Sequence, residues 1–285
     1  MRRNFTTPRL PTGQHRPLLI IGLAVALAFT LALSAVPIPG VDWETAFRPA
    51  ARTLLAFRSP YEVEGYFNAP WALLPLIPLA VLPDALGRAA LLVVSLLGYA
   101  YVAYRLGAGR LALVAFLISP PVLHGLLNAN LDWLAMLGFL MPPPIGLFFV
   151  AVKPQIGVAV AIFWLADSWR EGGLREAARV FAPVTVTTLL SFALFGLWPL
   201  RFGREVSLWW NASLWPLSLP VGLALVVAAV RTRDLRPAMA ASPCLSPYVL
   251  LHSWVGALAA IIHLPGETLA AVIGLWTLVL IPALG

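Results

Sequence analysis

The sequence predicts an all-α integral membrane protein with about eight to ten transmembrane or re-entrant helices and an outer amphipathic helix after the first span. Hydrophobic residues make up 60% of the 285 positions and charged residues only 11%, and the mean hydropathy is +0.87. Soluble domains use apolar and charged residues more evenly. Apolar runs of about 20 residues, the length that crosses a bilayer, also recur along the chain.

The net charge of +7 does not indicate a nucleic-acid partner. The arginines fall mostly in short connections between apolar runs, which is the pattern that membrane insertion imposes. The partners expected from composition are therefore membrane lipids. A single cysteine and four scattered histidines predict neither a disulfide framework nor a metal site, and no cofactor is expected, although a divalent cation requirement is left open.

The chain begins with a basic, proline-broken segment, residues 1–16, followed by an apolar run at 17–36. The basic flank predicts a cytoplasmic N-terminus. The run resembles a signal peptide but has no clean small-residue cleavage site after it, so we interpret it as a retained first helix. Residues 17–285 are expected to form one polytopic transmembrane domain.

Residues 39–69 form the longest polar region and are predicted to be the first extracytoplasmic loop. Apolar residues recur in it at helical spacing, with arginines between them, which predicts an amphipathic helix lying on the membrane surface. The predicted apolar face consists of Trp43, Phe47, Ala50, Ala51, Leu54 and Leu55. A plain surface loop is the alternative.

The next apolar segment, 71–83, is too short to span and contains Pro75 and Pro78, so it is expected to be re-entrant or kinked. Clearer spans are predicted at 88–104, 110–127, 180–199, 214–230 and 267–284. The intervals 131–168 and 237–264 are interrupted, the first by MPPP and KPQ and the second by SPCLSPY. Broken helices inside a bilayer are tolerated where they line a cavity, so these breaks predict a site.

If every arginine-rich connection is cytoplasmic, residues 128–132, 153–155 and 208–215 lie on the outer side with the first loop. Trp209, Trp210 and Trp215 are then interface anchors. A simple alternating topology competes with this arrangement, which requires segment 71–83 to be re-entrant.

The predicted outer vestibule collects polar residues from several segments. They are Asp42, Glu44, Tyr61, Asn128, Asn130, Asp132, Lys153, Gln155, Tyr248 and His252. A carboxylate can deprotonate a hydroxyl, a lysine can hold a phosphate, and amides can bind sugar hydroxyls. The same groups would suit an ion or solute pathway.

Each residue also has a structural interpretation. Asp42 could cap the helix that begins near Trp43, and Glu44 could interact with the dipole of its first turn. Asp132 could be the buried counter-ion of Lys153, the only lysine in the chain. His252 could be a packing residue.

Five stretches carry a family resemblance: VDWETAFRPAARTLLAFRSPY, FNAPWALLPLIPLAVLP, SPPVLHGLLNANLD, VKPQIGVAV and SPYVLLH. In this order they resemble the GT-C superfamily, most of all the bacterial polyprenol-phosphate-mannose-dependent mannosyltransferases. The resemblance implies transfer of a mannose-like hexose from a polyprenyl-phosphate sugar donor to a lipid or glycan acceptor, on the extracytoplasmic side of a bacterial-type plasma (inner) membrane.

In the resemblance, Asp42 matches the family's catalytic base and Lys153 its donor-phosphate lysine. Gln155, Asn128 and Asn130 would orient the sugar and phosphate. The family's Asn-Gly-Gln-x-Asn turn has become Asn128-Ala129-Asn130-Leu131-Asp132, and the hairpin before Lys153 is shortened. One alternative is therefore a catalytically inactive, glycosyltransferase-like subunit of a larger membrane complex. A membrane transporter is the second, although the two halves lack the self-similarity of inverted repeats.

Overall fold

The computed structural model describes residues 15–203 and 211–284 and is all-helical over them, with no β-strand. Most of the predicted tail at 1–16 lies outside the described residues, as do Trp209 and Trp210. The α-helices of these two ranges are α1 (His15–Ser34), α2 (Arg48–Leu55), α3 (Ile77–Ala80), α4 (Asp84–Arg105), α5 (Arg110–Leu117), α6 (Pro120–Leu127), α7 (Asp132–Leu137), α8 (Pro143–Val150), α9 (Pro154–Phe195), α10 (Leu219–Thr232), α11 (Leu235–Cys244), α12 (Val255–Ala260) and α13 (Pro265–Leu284).

Two of the described helices, α4 and α9, are long and apolar enough to cross a membrane by length and composition. The pair α5 and α6 is a third candidate, bent by 48° at its break. Shorter apolar helical stretches lie at 20–34, 70–80, 219–232 and 265–281. The predicted helical class is thus confirmed, whereas the expected number of spans is supported only in part.

Proline and glycine account for the breaks between these helices. Ser119 precedes Pro120 and Pro121 and is extended at φ −69° and ψ 148°, because a following proline disfavours the helical conformation. This divides the span predicted at 110–127. The interruptions predicted at MPPP, KPQ and SPCLSPY are all present: helices end before the first two and begin within them, and α11 ends at Cys244 within the third.

The predicted amphipathic helix consists of a π-helical turn, Trp43–Phe47, continued by α2. Most of its apolar face, including Trp43 and Ala50, is buried inside the protein, whereas Leu55 is 42% exposed. Arg48 donates to the carbonyl of Leu82 and pairs with Asp84, and Arg52 donates to the carbonyl of Ala80. The arginines were expected between the apolar positions as a polar surface, but two of them dock the helix onto the end of α3 and the start of α4.

The long helix α9 turns back on itself at Gly172 and Gly173. Both glycines have non-helical backbone angles, and Gly173 has φ 61° and ψ −149°, a combination essentially restricted to glycine. A straight helix of 42 residues would be about 63 Å long. Instead, the two ends of α9 lie close together. Trp198, just beyond its C-terminal end, stacks on Tyr61, and the Tyr61 hydroxyl donates to the carbonyl of Asn68. The Asn68 side chain in turn donates to the carbonyl of Val152, just before the start of α9.

Several helices end or turn at one end of the molecule, which we call the arginine end and define by Gly107, Arg170, Arg231 and His263. Arg170 at the α9 turn donates to the carbonyl of Val230 near the end of α10. His263, after α12, lies near Arg236 and beside Gly107. The sequence predicts the arginine-rich connections on one side of the membrane, and those named here lie at one end of the molecule.

Large apolar side chains are exposed along several helices. On α1, Ile20 and Leu23 are 65% and 62% exposed, and on α13 Leu278 is 72% exposed. Soluble monomers rarely expose apolar surface of this extent. The buried core lies between the helices and includes Trp43, Tyr99, Phe116 and Met239.

Candidate functional site

A polar cavity of about 180 Å³, here called the central cavity, lies at the end of the molecule opposite the arginine end. Five residues predicted for the site line it: Asp42, Asn130, Lys153, Gln155 and Tyr248. They come from the first loop, the turn before α7, the start of α9 and the loop after α11. The structure therefore brings together groups that are far apart in sequence.

Asp42 is held by an amide side chain. The Asp42 carboxylate accepts a hydrogen bond from the side-chain amide of Asn130, and the Asp42 backbone amide donates to the carbonyl of Asn128 over 3.1 Å. The carboxylate makes no capping bond to the helical turn that follows it. The capping interpretation of Asp42 is thus wrong, and its half-buried carboxylate lines the cavity.

The Asn-Ala-Asn turn positions that amide. Ala129 adopts φ 56°, a left-handed conformation, and the Asn130 backbone amide donates to the carbonyl of Gly125. The side-chain oxygen of Asn130 accepts from the Leu131 amide over 2.7 Å. Since its oxygen is already bonded, Asn130 must present its amide nitrogen to Asp42.

At the cavity wall lies what we call the buried charge cluster: Asp132, Lys153 and His252. Lys153 lines the cavity, and Asp132 and His252 lie behind it. The Asp132 side chain is fully buried and that of His252 is 1% exposed, and Nδ1 of His252 contacts Oδ2 of Asp132. The Lys153 ammonium nitrogen lies 3.8 Å from Oδ1 of Asp132, which is longer than a charge-assisted hydrogen bond. The interpretation of Asp132 as the counter-ion of Lys153 alone is incomplete, because His252 is its closer partner.

Charge balance in the cluster favours an ionised Asp132. Burial raises the pKa of the Asp132 carboxyl, but His252 and Lys153 together outweigh burial, and the resulting pKa lies below its ordinary value. A buried carboxylate is stable only when it is paired in this way. Asp132 is therefore a carboxylate whose negative charge is balanced jointly by Lys153 and His252.

Lys153 combines burial with access to the cavity. Its side chain is 9% exposed, and Pro154 follows it as the first residue of α9, a position that proline favours. The positive end of the α9 dipole thus lies beside the ammonium group. The side-chain oxygen of Gln155, in the same turn, is buried without a hydrogen-bond partner among the described residues.

Tyr248 is positioned by what we call the Asn211 clip, the bonded pair of segments 211–213 and 246–249. The Asn211 amide donates to the carbonyl of Pro247, and its oxygen accepts from the amides of Ser213 and Val249. Ser213 donates in turn to the carbonyl of Ser246. Burial and the nearby Asp42 charge raise the pKa of Tyr248, so its hydroxyl keeps its proton near neutral pH.

An apolar groove of about 290 Å³ adjoins the central cavity. Val152, which directly precedes Lys153, lines both. The other groove residues are Trp71, Ala72, Leu74, Pro75, Leu134, Phe148 and Phe149. A ligand with a charged head and an apolar chain would therefore find complementary surfaces on both sides of Val152.

A second polar cavity, here called the outer cavity, measures about 410 Å³ and shares Gly65 and Phe67 with the central cavity. Tyr61, Glu64 and Arg201 line it. Arg201 donates to the carbonyl of Tyr61, and its guanidinium lies 5.9 Å from the centre of the Tyr61 ring.

The other predicted site residues lie elsewhere. Glu44 forms an ion pair with Arg88, and Asn128 bonds to His124 and so caps its own helix. Tyr61 lines the outer cavity, while Asp132 and His252 are behind the wall of the central one. Among the described residues no group of three or more His, Cys, Asp or Glu side chains could hold a metal ion.

Asn68 is a cavity residue that the sequence analysis missed. Its side-chain amide donates to the carbonyl of Val152 over 2.8 Å, tying the first loop to the start of α9. Its position two residues before Pro70, which leads into segment 71–83, was the available signal. The Asn211 clip was missed because it joins two segments that are more than 30 residues apart in sequence.

Comparison of the chain with protein-family models, curated proteins and solved structures gives no significant match.

Proposed function

We propose that this chain is a membrane glycosyltransferase that moves a mannose-like hexose from a polyprenyl-phosphate donor to an acceptor hydroxyl on a lipid or glycan. One observation carries the proposal: Asp42 and Lys153 line the same polar cavity, and an apolar groove adjoins that cavity at Val152. A base, a cation and a lipid-compatible surface are what this reaction requires.

In the proposed reaction, the acceptor hydroxyl oxygen attacks the anomeric carbon of the donor while its proton passes to the Asp42 carboxylate. The bond from the anomeric carbon to the phosphate oxygen breaks, and the phosphate leaves with the electron pair. Lys153 and the positive end of α9 stabilise the negative charge that develops on the phosphate. Asn130, which donates to Asp42, keeps the carboxylate turned toward the cavity.

The two cavities suggest where the two substrates bind. Small-molecule pockets measure about 300–1,000 Å³, so the central cavity at about 180 Å³ suits a phosphate and part of a sugar. The prenyl chain would lie along the apolar groove. The acceptor would enter through the outer cavity, where Tyr61, Glu64 and Arg201 offer aromatic and charged contacts.

The proposed membrane orientation places the arginine end in the cytoplasm, in agreement with the positive-inside rule. The two halves of α9, residues 154–171 and 174–195, would be about 27 and 33 Å long, close to the thickness of a hydrocarbon core. The cavities then open at the outer surface. The exposed apolar side chains of α1 and α13 support contact with lipid.

A catalytically inactive subunit of a larger membrane complex is the second candidate, and the small volume of the central cavity is the observation that favours it. Such a subunit would copurify in fixed stoichiometry with other chains. It would also show no transfer activity in any preparation.

Labelled hexose transfer from a polyprenyl-phosphate donor, in membranes containing the protein, tests the function. We expect Asp42→Asn to lower the rate at least about 100-fold, since general bases contribute factors of this order. The shape of the side chain is retained, so the protein should still fold. Undiminished transfer in this variant would remove Asp42 from the mechanism.

Glu44→Gln is the matched control. Glu44 is two residues away on the same loop, but it pairs with Arg88 and does not line the central cavity. We expect its transfer rate to stay near that of the unchanged protein. An equal loss in both variants would indicate a general effect on the first loop.

A further inference from the structure

The buried charge cluster contains one carboxylate and two groups that can carry positive charge. Asp132 contacts His252 through Oδ2 and lies 3.8 Å from Lys153 through Oδ1. Of these three residues, only Lys153 lines the central cavity. The charge that the cavity experiences therefore depends on how Asp132 is shared.

We infer that Asp132 and His252 are positioning residues that set how strongly Lys153 binds a phosphate diester. With neutral His252, the Asp132 charge is balanced by Lys153. With protonated His252, the imidazolium balances Asp132 and the Lys153 ammonium becomes available to an anion in the cavity. The identity of the anion as the sugar donor rests on the proposed function, whereas the charge sharing does not.

The geometry supports this division of charge. Nδ1 of His252 faces a carboxylate and so carries a proton, while Nε2 is buried without a partner among the described residues. Nε2 is therefore the ring nitrogen at which a second proton would bind. Binding and protonation are linked reciprocally, so an anion at Lys153 also favours proton uptake.

The other titratable groups around the pair come from three elements. His124 of α6 stacks on His252 with ring centres 5.3 Å apart, and Tyr99 of α4 interacts electrostatically with Asp132. Asp42 is close enough to influence His124. Because His124 does not contact Asp132 directly, we assign the linkage to His252.

Binding of dihexyl phosphate to the detergent-solubilised protein between pH 5.5 and 8 tests the inference. This diester stays ionised over that range, so any pH dependence arises from the protein. We expect the affinity to fall about tenfold toward pH 8, because a change of one unit charge close to the bound anion can produce an effect of about this size. Calorimetry in two buffers of different ionisation enthalpy should show proton uptake on binding.

His252→Gln should bind with a flat pH profile and no proton uptake. His124→Gln and the remote His263→Gln should keep both. Asp132→Asn removes the competing charge, so it should bind the diester more tightly at pH 8. A residue with a merely structural role would instead weaken binding when changed.

Several outcomes would overturn the inference: a pH profile unchanged in His252→Gln, a flat profile in His124→Gln, or weaker binding by Asp132→Asn. Transfer activity is measured separately. A pH-linked diester site without hexose transfer would overturn the proposed reaction and leave this inference standing. Hexose transfer together with diester binding that does not depend on pH would overturn this inference and leave the proposed reaction standing.

Discussion

Gly125 lies on α6 at the point where side chains around the buried charge cluster converge. A Cβ at this position would lie 2.7 Å from the Tyr99 hydroxyl oxygen, 3.4 Å from Cβ of His252 and 3.6 Å from Oδ2 of Asp132. The absence of a side chain lets α6 approach the cluster closely. Glycine normally weakens a helix interior, so its presence here follows from packing.

Gly125→Ala should therefore destabilise the protein by about 1–3 kcal/mol through overpacking. Thermal unfolding in detergent measures this. Gly274→Ala on α13 is the control, since nothing lies within 4 Å of a Cβ there and alanine favours helices. Equal stability of the two variants would contradict the packing argument.

At the residue scale, the sequence predicts individual side chains better than their pairings. Lys153 and Asp42 were both predicted for the site, and both line the central cavity. The predicted partner of Asp132, Lys153, is present. The closer partner, His252, was not predicted, because four helices separate it from Asp132 and no local periodicity connects them. Burial of the charge forces a pairing, but only the folded arrangement selects which histidine supplies it.

Short polar connections, as well as helices, hold the residues of the candidate site in position. The Asn211 clip holds the loop that carries Tyr248 through two bonds to the Asn211 side chain and one from the Ser213 hydroxyl. Asparagine suits this role because its amide donates while its oxygen accepts. The loop itself contributes Tyr248 to the cavity wall.

Asn211→Ala should loosen this loop and cost about 1–3 kcal/mol, since it leaves partly buried groups without partners. Asn211→Asp keeps an acceptor for Ser213 and Val249 and loses only the donor to Pro247, so its effect should be smaller. Hydrogen exchange of residues 246–250 measures both. Unchanged exchange in the alanine variant would show that the clip does not hold the loop.

Proline made the breaks between helices predictable, whereas glycine did not. The interruptions at Pro142 and Pro154 were expected because proline restricts the preceding residue. The turn at Gly172 and Gly173 was expected only as a connection between spans. Paired glycines allow many conformations, so the sequence alone does not predict that α9 doubles back there.

On the scale of the whole molecule, charge is divided between two ends. The arginine end collects Arg170, Arg231 and Arg236, while the cavity end holds Asp42, Asp132 and Lys153. The all-helical class followed directly from composition. The number of spans did not, because apolar runs of similar length become both long helices and bent or shortened ones.

Cysteine labelling tests the proposed orientation in a Cys244→Ala background. A membrane-impermeant maleimide applied to intact cells should label Glu62→Cys at the cavity end. Arg175→Cys, exposed near the α9 turn, should react only after the membrane is permeabilised. Labelling of both positions from outside would contradict the orientation.

The shared Asp132 has a consequence for biosynthesis. As the chain is made from its N-terminus, Asp42, Asp132 and Lys153 emerge before α9, α10 and α11, and His252 follows all of them. Until then Asp132 has only the distant ammonium of Lys153 as its cationic partner. The C-terminal part of the chain therefore supplies the closer partner of Asp132, and a chain that ended within α11 would leave this carboxylate with Lys153 alone.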